Sequence, residues 1–124
     1  MTVEKIYEAA AKVRNEFESQ SVDRDLLWVR YCRWNPAAWR YDKNRYLDLA
    51  AASFPLGSCG LASAYLWGEV DVGEGQPKSV YYRGYEHTVL LGRIAMVDIT
   101  ADQFGGPRVY IGPMLDPWTD LAQS

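Results

Sequence analysis

The sequence predicts an α+β domain in which N-terminal helices pack on an antiparallel sheet. In the first half of the 124-residue chain, apolar side chains recur at helical spacing. In the second half, short runs rich in Val, Ile, Thr and Tyr are separated by glycine-containing turns. Helices followed by strands, without alternation, are typical of this fold class. We therefore expect one domain over residues 1–124, with a helical part at 1–53 and a buried helix plus the sheet at 54–124.

Four helices are expected in this arrangement. Apolar periodicity places them over residues 3–18, 22–33, 44–52 and about 59–67. Thr2 is a suitable N-cap for the first helix, and Asn35-Pro36 ends the second. The fourth helix is apolar on nearly all sides, which is typical of a helix buried in the core.

The sheet is expected to begin after an exposed loop over residues 71–78, which is rich in glycine and acidic residues. A strand at 79–82 precedes a hairpin, in which two apolar runs, 87–91 and 94–100, flank Gly92-Arg93. A last short strand is expected at 108–111, followed by a polar tail.

Composition excludes several classes of function. The formal net charge of −3 gives no general attraction to nucleic acid or an anionic membrane. No apolar run approaches the ~20 residues of a membrane span. Two cysteines, Cys32 and Cys59, and one histidine form neither a disulfide framework nor a metal-ligand motif. We therefore expect no cofactor, no metal and no nucleic-acid or membrane partner. The charged N-terminal residues do not resemble a signal peptide, so we expect a cytoplasmic site of synthesis.

The hairpin brings the single histidine of the chain, His87, next to Asp98. With Gly92-Arg93 as a two-residue loop, the strands pair so that His87 lies directly opposite Asp98 on one sheet face. A carboxylate there can bind one imidazole nitrogen and fix the tautomer. A three-residue loop would move Asp98 off this face, and Glu86 or Asp102 would then compete as the orienting group. The remaining alternative is a purely structural pair.

A thiol is available to interact with the second imidazole nitrogen. Cys59 follows Gly57-Ser58 at the junction between a loop and the fourth helix. The unpaired N–H groups and the dipole of a helix N-terminus favour the thiolate, which is the reactive form. The same N–H groups can stabilise an oxyanion when a thiolate attacks a carbonyl carbon. The alternative is that Cys59 is a small core residue, as free cysteines often are.

Three segments of the chain resemble the papain-like and transglutaminase-like cysteine enzymes. They are Gly57-Ser58-Cys59-Gly60-Leu61-Ala62-Ser63, Glu86-His87-Thr88-Val89 and Val97-Asp98-Ile99-Thr100-Ala101-Asp102-Gln103-Phe104. In that group a nucleophilic cysteine begins a helix packed on an antiparallel sheet, and the histidine and aspartate lie on adjacent strands. The third segment is most similar to the bacterial branch, which includes peptidases, protein-glutamine deamidases, transglutaminases and papain-fold toxins. The resemblance covers about residues 54–104.

The resemblance implies a catalytic triad of Cys59, His87 and Asp98, with Ser58 and Gln103 supporting the oxyanion. The implied reaction attacks a protein carboxamide or a peptide carbonyl, as deamidation, transglutamination or proteolysis. The implied substrate is a protein or peptide. The resemblance also implies a bacterial effector or toxin, exported by a signal-peptide-independent system, with an immunity protein, chaperone or carrier as a partner.

The chain departs from the family pattern at two places. Papain-like peptidases place a glutamine a few residues before the cysteine as an oxyanion donor, where this chain has Ser53. Transglutaminase-like members carry an aromatic residue soon after the histidine, where this chain has Thr88 and Val89. The second oxyanion donor is therefore open. Gln103 is a candidate for it, and the alternative is that Gln103 only caps the loop.

Residues 24–46 interleave aromatic and arginine side chains, in the order Arg24, Trp28, Arg30, Tyr31, Arg33, Trp34, Trp39, Arg40, Tyr41, Arg45 and Tyr46. We expect these aromatic rings to form the core of the helical part, with Trp28, Trp34 and Trp39 buried. Exposed rings would instead favour a protein-binding surface, because Trp, Tyr and Arg dominate binding hot spots. That alternative makes the protein a non-catalytic binding module on the same fold.

Overall fold

The computed structural model describes residues 2–120 of the chain, as helices packed on an antiparallel sheet. The α-helices are α1 (Val3–Glu18), α2 (Arg24–Trp34), α3 (Lys43–Ser53) and α4 (Cys59–Trp67). Side-chain oxygens of Thr2, Asp23 and Asp42 accept backbone N–H groups at the starts of α1, α2 and α3. The predicted helices are confirmed to within two residues at each end. A 3-10 helix at Pro36–Arg40 was not predicted.

The sheet has the strand order β4-β3-β2-β1-β5, and every neighbouring pair is antiparallel. Its strands are β1 (Gln76–Tyr82), β2 (Tyr85–Leu91), β3 (Met96–Asp98), β4 (Tyr110–Gly112) and β5 (Trp118–Asp120). The segment expected to be a polar tail therefore contributes an edge strand, and Trp118 pairs with Tyr82. A three-residue strand is too short to show the alternation that identifies longer strands.

Helix α4 lies at the centre of the domain, between the sheet and helices α1 and α2. Its residues 61–66 are all buried, as expected for a helix that is apolar on nearly all sides. A second, smaller core on the sheet side includes Tyr82, Val89, Met96 and Trp118. These two cores hold the N-terminus of α4 next to β2.

The predicted register of the β2–β3 hairpin is wrong by two residues. A two-residue loop would pair Leu91 with Ile94, whereas the structure pairs Leu91 with Met96. The loop is longer because Ile94 N–H donates to the Val72 carbonyl, 2.8 Å away, and Arg93 N–H donates to Gly73. A shift of two residues keeps each side chain on its face, so His87 and Asp98 still share one face, as diagonal neighbours.

The prediction that the aromatic rings of residues 24–46 form a core holds only in part. Trp28 is 5% exposed and Trp34 is partly buried, but Trp39 is 60% exposed and Tyr41 is also on the surface. The reason is the 3-10 helix Pro36–Arg40, which buries Ala38 completely and leaves the adjacent Trp39 facing outward.

Candidate active site

The centre of the candidate site is a buried pair between His87 on β2 and Asp98 at the end of β3. The His87 Nε2 atom lies 2.6 Å from Asp98 Oδ2. Both residues are almost inaccessible to solvent, at 2% and 1% exposure. Burial of a carboxylate is costly unless the carboxylate is hydrogen-bonded, and His87 supplies that hydrogen bond to Asp98. The short distance is typical of a strong hydrogen bond to a charged group.

Asp98 is held in place by three further donors, one of which is the Thr100 hydroxyl, 3.4 Å from Oδ1. The Trp118 indole N–H donates to Asp98 Oδ2 at 2.8 Å, and the Thr100 backbone N–H donates to Oδ1 at 2.9 Å. The role of Trp118 was missed from the sequence because β5 was not predicted. The two alternative orienting groups, Asp102 and Glu86, do not bind His87 in the structure. Asp102 binds Arg14 through both of its oxygens, and Glu86 is exposed.

Cys59 is the first residue of α4, and its side chain is partly exposed. Gly57, two residues earlier, has a φ of +72°, a conformation that favours glycine. Ser58 supports this turn, because its N–H donates to the Pro55 carbonyl and its hydroxyl to the Ala50 carbonyl. Ser58 thus supports the turn that positions Cys59, and its part in supporting an oxyanion stays a prediction. The unpaired N–H groups belong to the first turn of the helix itself.

The second nitrogen of His87 is available to the Cys59 thiol. Nδ1 is buried and has no hydrogen-bond partner of ordinary geometry within residues 2–120. Burial opposes charge on His87, but the hydrogen bond to Asp98 and the interaction with Cys59 outweigh it and raise the pKa of His87 to about 9. Because Nε2 is bound to Asp98, the interaction with the thiol falls to Nδ1.

The same environment favours a thiolate at Cys59. Burial would raise the pKa of the thiol, but the interaction with His87, followed by hydrogen bonding from Thr88, lowers it below its ordinary value. Cys32 differs, because it is completely buried and burial raises the pKa of its thiol. Thr88 was noted in the sequence only as a departure from the family pattern, and its backbone carbonyl is fixed by the Ser63 hydroxyl at 3.0 Å.

Gln103 is close to the loop that precedes Cys59, as its candidate role requires. Its Oε1 accepts the Gly57 N–H at 3.4 Å, while its Nε2 is buried and has no hydrogen-bond partner in the described part of the chain. The segment that carries Gln103 is anchored by Arg14 of α1, which is 4% exposed and donates to the Ile99 carbonyl and to both oxygens of Asp102. The sequence gives no indication of this role for Arg14, because its partners lie 85 and 88 residues away along the chain.

Aromatic rings surround the candidate site on both sides. On the sheet side, Phe104 packs edge-on against His87, with ring centroids 5.2 Å apart. On the helical side, Tyr31 and Trp34 pack against Gly60, where a Cβ atom would lie 3.1 Å from Trp34 and 3.3 Å from Tyr31. Gly60 therefore allows these rings to approach the first turn of α4. Water is partly excluded, and electrostatic interactions in the site are strengthened.

The site brings together a thiol, an imidazole and an oriented carboxylate, which are groups that can take part in nucleophilic chemistry. Residues 2–120 contain no cluster of three histidine, cysteine or acidic side chains arranged to hold a metal ion. Within the same residues, no helix combines the length and apolar character needed to cross a membrane.

Comparison with known proteins identifies no relative of this chain. No family model matches the chain, and neither a curated protein nor a solved structure is significantly similar to it. The resemblance to papain-like and transglutaminase-like enzymes accordingly rests on the three quoted segments, and the case for chemistry at Cys59 rests on the geometry described above.

Proposed function

We propose that this protein is a cysteine acyl-transfer enzyme with a papain-like or transglutaminase-like core. Its triad is Cys59, His87 and Asp98, and its substrate is a protein carboxamide or peptide carbonyl. The observation that carries the proposal is the buried His87 ring. One of its nitrogens is bound to Asp98 at 2.6 Å, and the other is unpaired beside a helix-initiating thiol. A buried nitrogen without a partner is costly, and such groups occur at functional sites.

The proposed reaction has two steps. The Cys59 thiolate attacks the carbonyl carbon, and the tetrahedral oxyanion collapses as the C–N bond breaks. The leaving nitrogen takes the proton of the His87 imidazolium, so ammonia or an amine departs and a thioester remains. Neutral His87 then removes a proton from water or an acceptor amine, which attacks the thioester. The products are an acid or a new amide, and the thiol is released.

Asp98 and Gln103 have supporting roles in this proposal. Asp98 holds the ring so that Nδ1 meets the thiol, and it stabilises the imidazolium. Unpaired N–H groups at the start of α4 and the unpaired Gln103 Nε2 are suited to bind the oxyanion. The choice between deamidation, transglutamination and proteolysis depends on the leaving group and the acceptor. A bacterial effector or toxin function, with an immunity protein, chaperone or carrier as a partner, follows only from the family resemblance.

A generic acyl donor tests the proposal without a known substrate. With 4-nitrophenyl acetate, we expect a burst of nitrophenolate and a mass gain of about 42 Da on Cys59 that disappears as the thioester hydrolyses. Cys59→Ala should abolish the burst, and His87→Ala should slow both steps. Acetylation of Cys59 no faster than that of a free thiol, or insensitive to His87→Ala, would refute the proposal. Intact masses of casein then distinguish the reactions: a gain of about 1 Da means deamidation, a loss of about 17 Da crosslinking, and fragments proteolysis.

A second candidate function is a non-catalytic binding module. It is favoured by the exposure of Trp39 at 60% and Tyr41 at 48%, on a segment that also carries Arg40 and Arg45 on the surface. A binding module gives no reason for Cys59 to react faster than its exposure dictates. The acylation experiment therefore separates the two candidates.

A further inference from the structure

We propose that the Tyr46 hydroxyl is a further catalytic donor, which binds the oxyanion formed on attack by Cys59, and that Tyr31 and Asn35 position it. This role rests on the proposed function, because it concerns the same thiol and the same intermediate. It adds a hydroxyl donor to the α4 N–H groups and the Gln103 Nε2 that the proposed function assigns to the oxyanion.

The first support is a chain of hydrogen bonds that ends at Tyr46. The hydroxyl oxygens of Tyr31 and Tyr46 lie 2.8 Å apart, and Asn35 Nδ2 donates to the Tyr31 oxygen at 3.5 Å. A phenol accepts one such bond and donates one. If Tyr31 accepts a hydrogen bond from Asn35, the Tyr31 hydroxyl donates its own hydrogen bond to the Tyr46 oxygen. The Tyr46 hydrogen then remains available to an external acceptor, and the chain polarises it.

The second support is the position of this chain. The Tyr31 ring packs against Gly60, the residue after Cys59, at the first turn of α4. Tyr31 is 7% exposed, whereas Tyr46 is partly exposed and stacks on the surface residue Tyr41, with ring centroids 5.4 Å apart. Tyr46 therefore lies between the packed ring of Tyr31 and the surface ring of Tyr41. In this proposal the substrate carbonyl arrives from that exposed side.

The third support is the protonation state of Tyr46. Burial raises the pKa of Tyr46 above its ordinary value, and the negative charge of a thiolate at Cys59 adds to this shift. Tyr46 therefore keeps its proton at neutral pH, where Cys59 is to act as a thiolate. A neutral hydroxyl can donate a hydrogen bond to the negative charge when that charge moves to the oxyanion.

Two reagents separate this role from simple thiol activation. Iodoacetamide alkylates a thiolate by displacement and forms no oxyanion, whereas 4-nitrophenyl acetate acylates it through a tetrahedral oxyanion. Rates for both reagents at Cys59 are measured in wild type, Tyr46→Phe and Tyr31→Phe. Tyr41→Phe is the matched control, since it removes a hydroxyl from the neighbouring ring outside the hydrogen-bond chain.

Tyr46→Phe should slow acylation by roughly 100-fold while alkylation is unchanged. Tyr31→Phe breaks the same hydrogen bond and should lower the melting temperature equally, but it keeps the donor and should slow acylation much less. Tyr41→Phe should change neither rate. Acylation of Tyr46→Phe at the wild-type rate, or equal losses of both reactions in both variants, would overturn the role of Tyr46 alone. Failure of wild-type Cys59 to acylate would overturn the proposed function, and this role with it.

Discussion

His87 and Asp98 are joined across the β2–β3 pair as diagonal neighbours, with Nε2 and Oδ2 2.6 Å apart. The same carboxylate oxygen accepts the Trp118 indole N–H at 2.8 Å. A diagonal pair has a longer Cα separation than a directly opposite pair, which leaves room for the imidazole ring to lie between the two strands. The oxygen is thus fixed from two directions, and the imidazole orientation is fixed with it.

The first prediction concerns Asp98→Asn. An amide in this place offers the ring a different hydrogen-bonding partner and removes the negative charge that stabilises the imidazolium. We expect turnover of acyl-Cys59 to fall by about 10⁴-fold, the size of loss seen when the orienting aspartate of a triad becomes an amide. Burst kinetics with 4-nitrophenyl acetate measure it. Glu86→Gln is the control, because Glu86 precedes His87 and is exposed. Equal losses in the two variants would show that Asp98 has no special role.

The second prediction concerns Trp118→Phe, which keeps an aromatic ring but removes the N–H donor to Asp98. The carboxylate then loses one of its two fixing contacts at Oδ2, and the His87 ring is held less firmly. We expect turnover to fall, by up to about 100-fold, through misplacement alone. The thiolate should still form, so alkylation of Cys59 at neutral pH should change little. A variant with wild-type turnover would show that β5 only packs against the site.

The third prediction concerns stability against pH. The pKa of His87 is raised from its usual 6.5 to about 9, so the folded protein binds more protons than the unfolded chain between these values. The contribution of His87 protonation to the free energy of unfolding is fully present below pH 6.5 and is lost as the pH rises through about 9. Cys59→Ala removes the opposing titration of the thiol and also the contribution of Cys59 to the raised pKa of His87, so the decline in that variant reports the contribution of Asp98. In that variant the unfolding free energy should fall with pH, by at most about 1.4 kcal/mol per unit.

Urea unfolding of Cys59→Ala at several pH values provides the measurement. Adding Asp98→Asn should flatten the decline, because it removes the main interaction that favours the imidazolium. A free energy that is constant or rises over the same interval would contradict the prediction that Asp98 keeps the pKa of His87 raised against burial.

The fourth prediction concerns the pair formed by Arg14 and Asp102. Arg14 is 4% exposed, so Asp102→Ala leaves a buried charge with only part of its compensation. We expect a loss of about 3 kcal/mol in unfolding free energy, at the low end for broken buried pairs because Glu18 still binds Arg14. The matched control is Asp48→Ala, which breaks the exposed pair with Arg24 and should cost less than about 1 kcal/mol. Similar losses in both variants would refute the structural role of the Arg14 pair.

The local elements of the fold could be predicted from the sequence, because their determinants are local. Helix α4 begins at Cys59 and ends at Trp67 as expected, since its boundaries depend on the Gly57 turn and on a short apolar run. The hairpin register could not be predicted, because the loop is fixed by hydrogen bonds to Val72 and Gly73, some 20 residues earlier. His87 and Asp98 still met because the error was even and preserved the faces.

The surroundings of the candidate site were harder to predict than its three central residues. Trp118, near the C-terminus, donates to Asp98, and Arg14, near the N-terminus, donates to the neighbouring Ile99 carbonyl. Neither residue lies in a segment whose own pattern indicates such a contact. Trp39 was assigned to the core because aromatic residues are commonly buried, yet the 3-10 helix turns it outward. Residues whose positions depend on tertiary contacts carry no periodic signal of them.

The most direct test of the account is the pH dependence of Cys59 alkylation by iodoacetamide, with the buried Cys32 as the internal control. Because His87 lowers the pKa of the Cys59 thiol, we predict rapid alkylation well below the free-thiol pKa of about 8.5, with Cys32 unreactive. In Asp98→Asn the alkylation profile should move toward that of a free thiol. Alkylation of wild-type Cys59 that follows an ordinary thiol titration, with no reaction at lower pH, would contradict the ion pair and the assignment of Cys59 as a nucleophile.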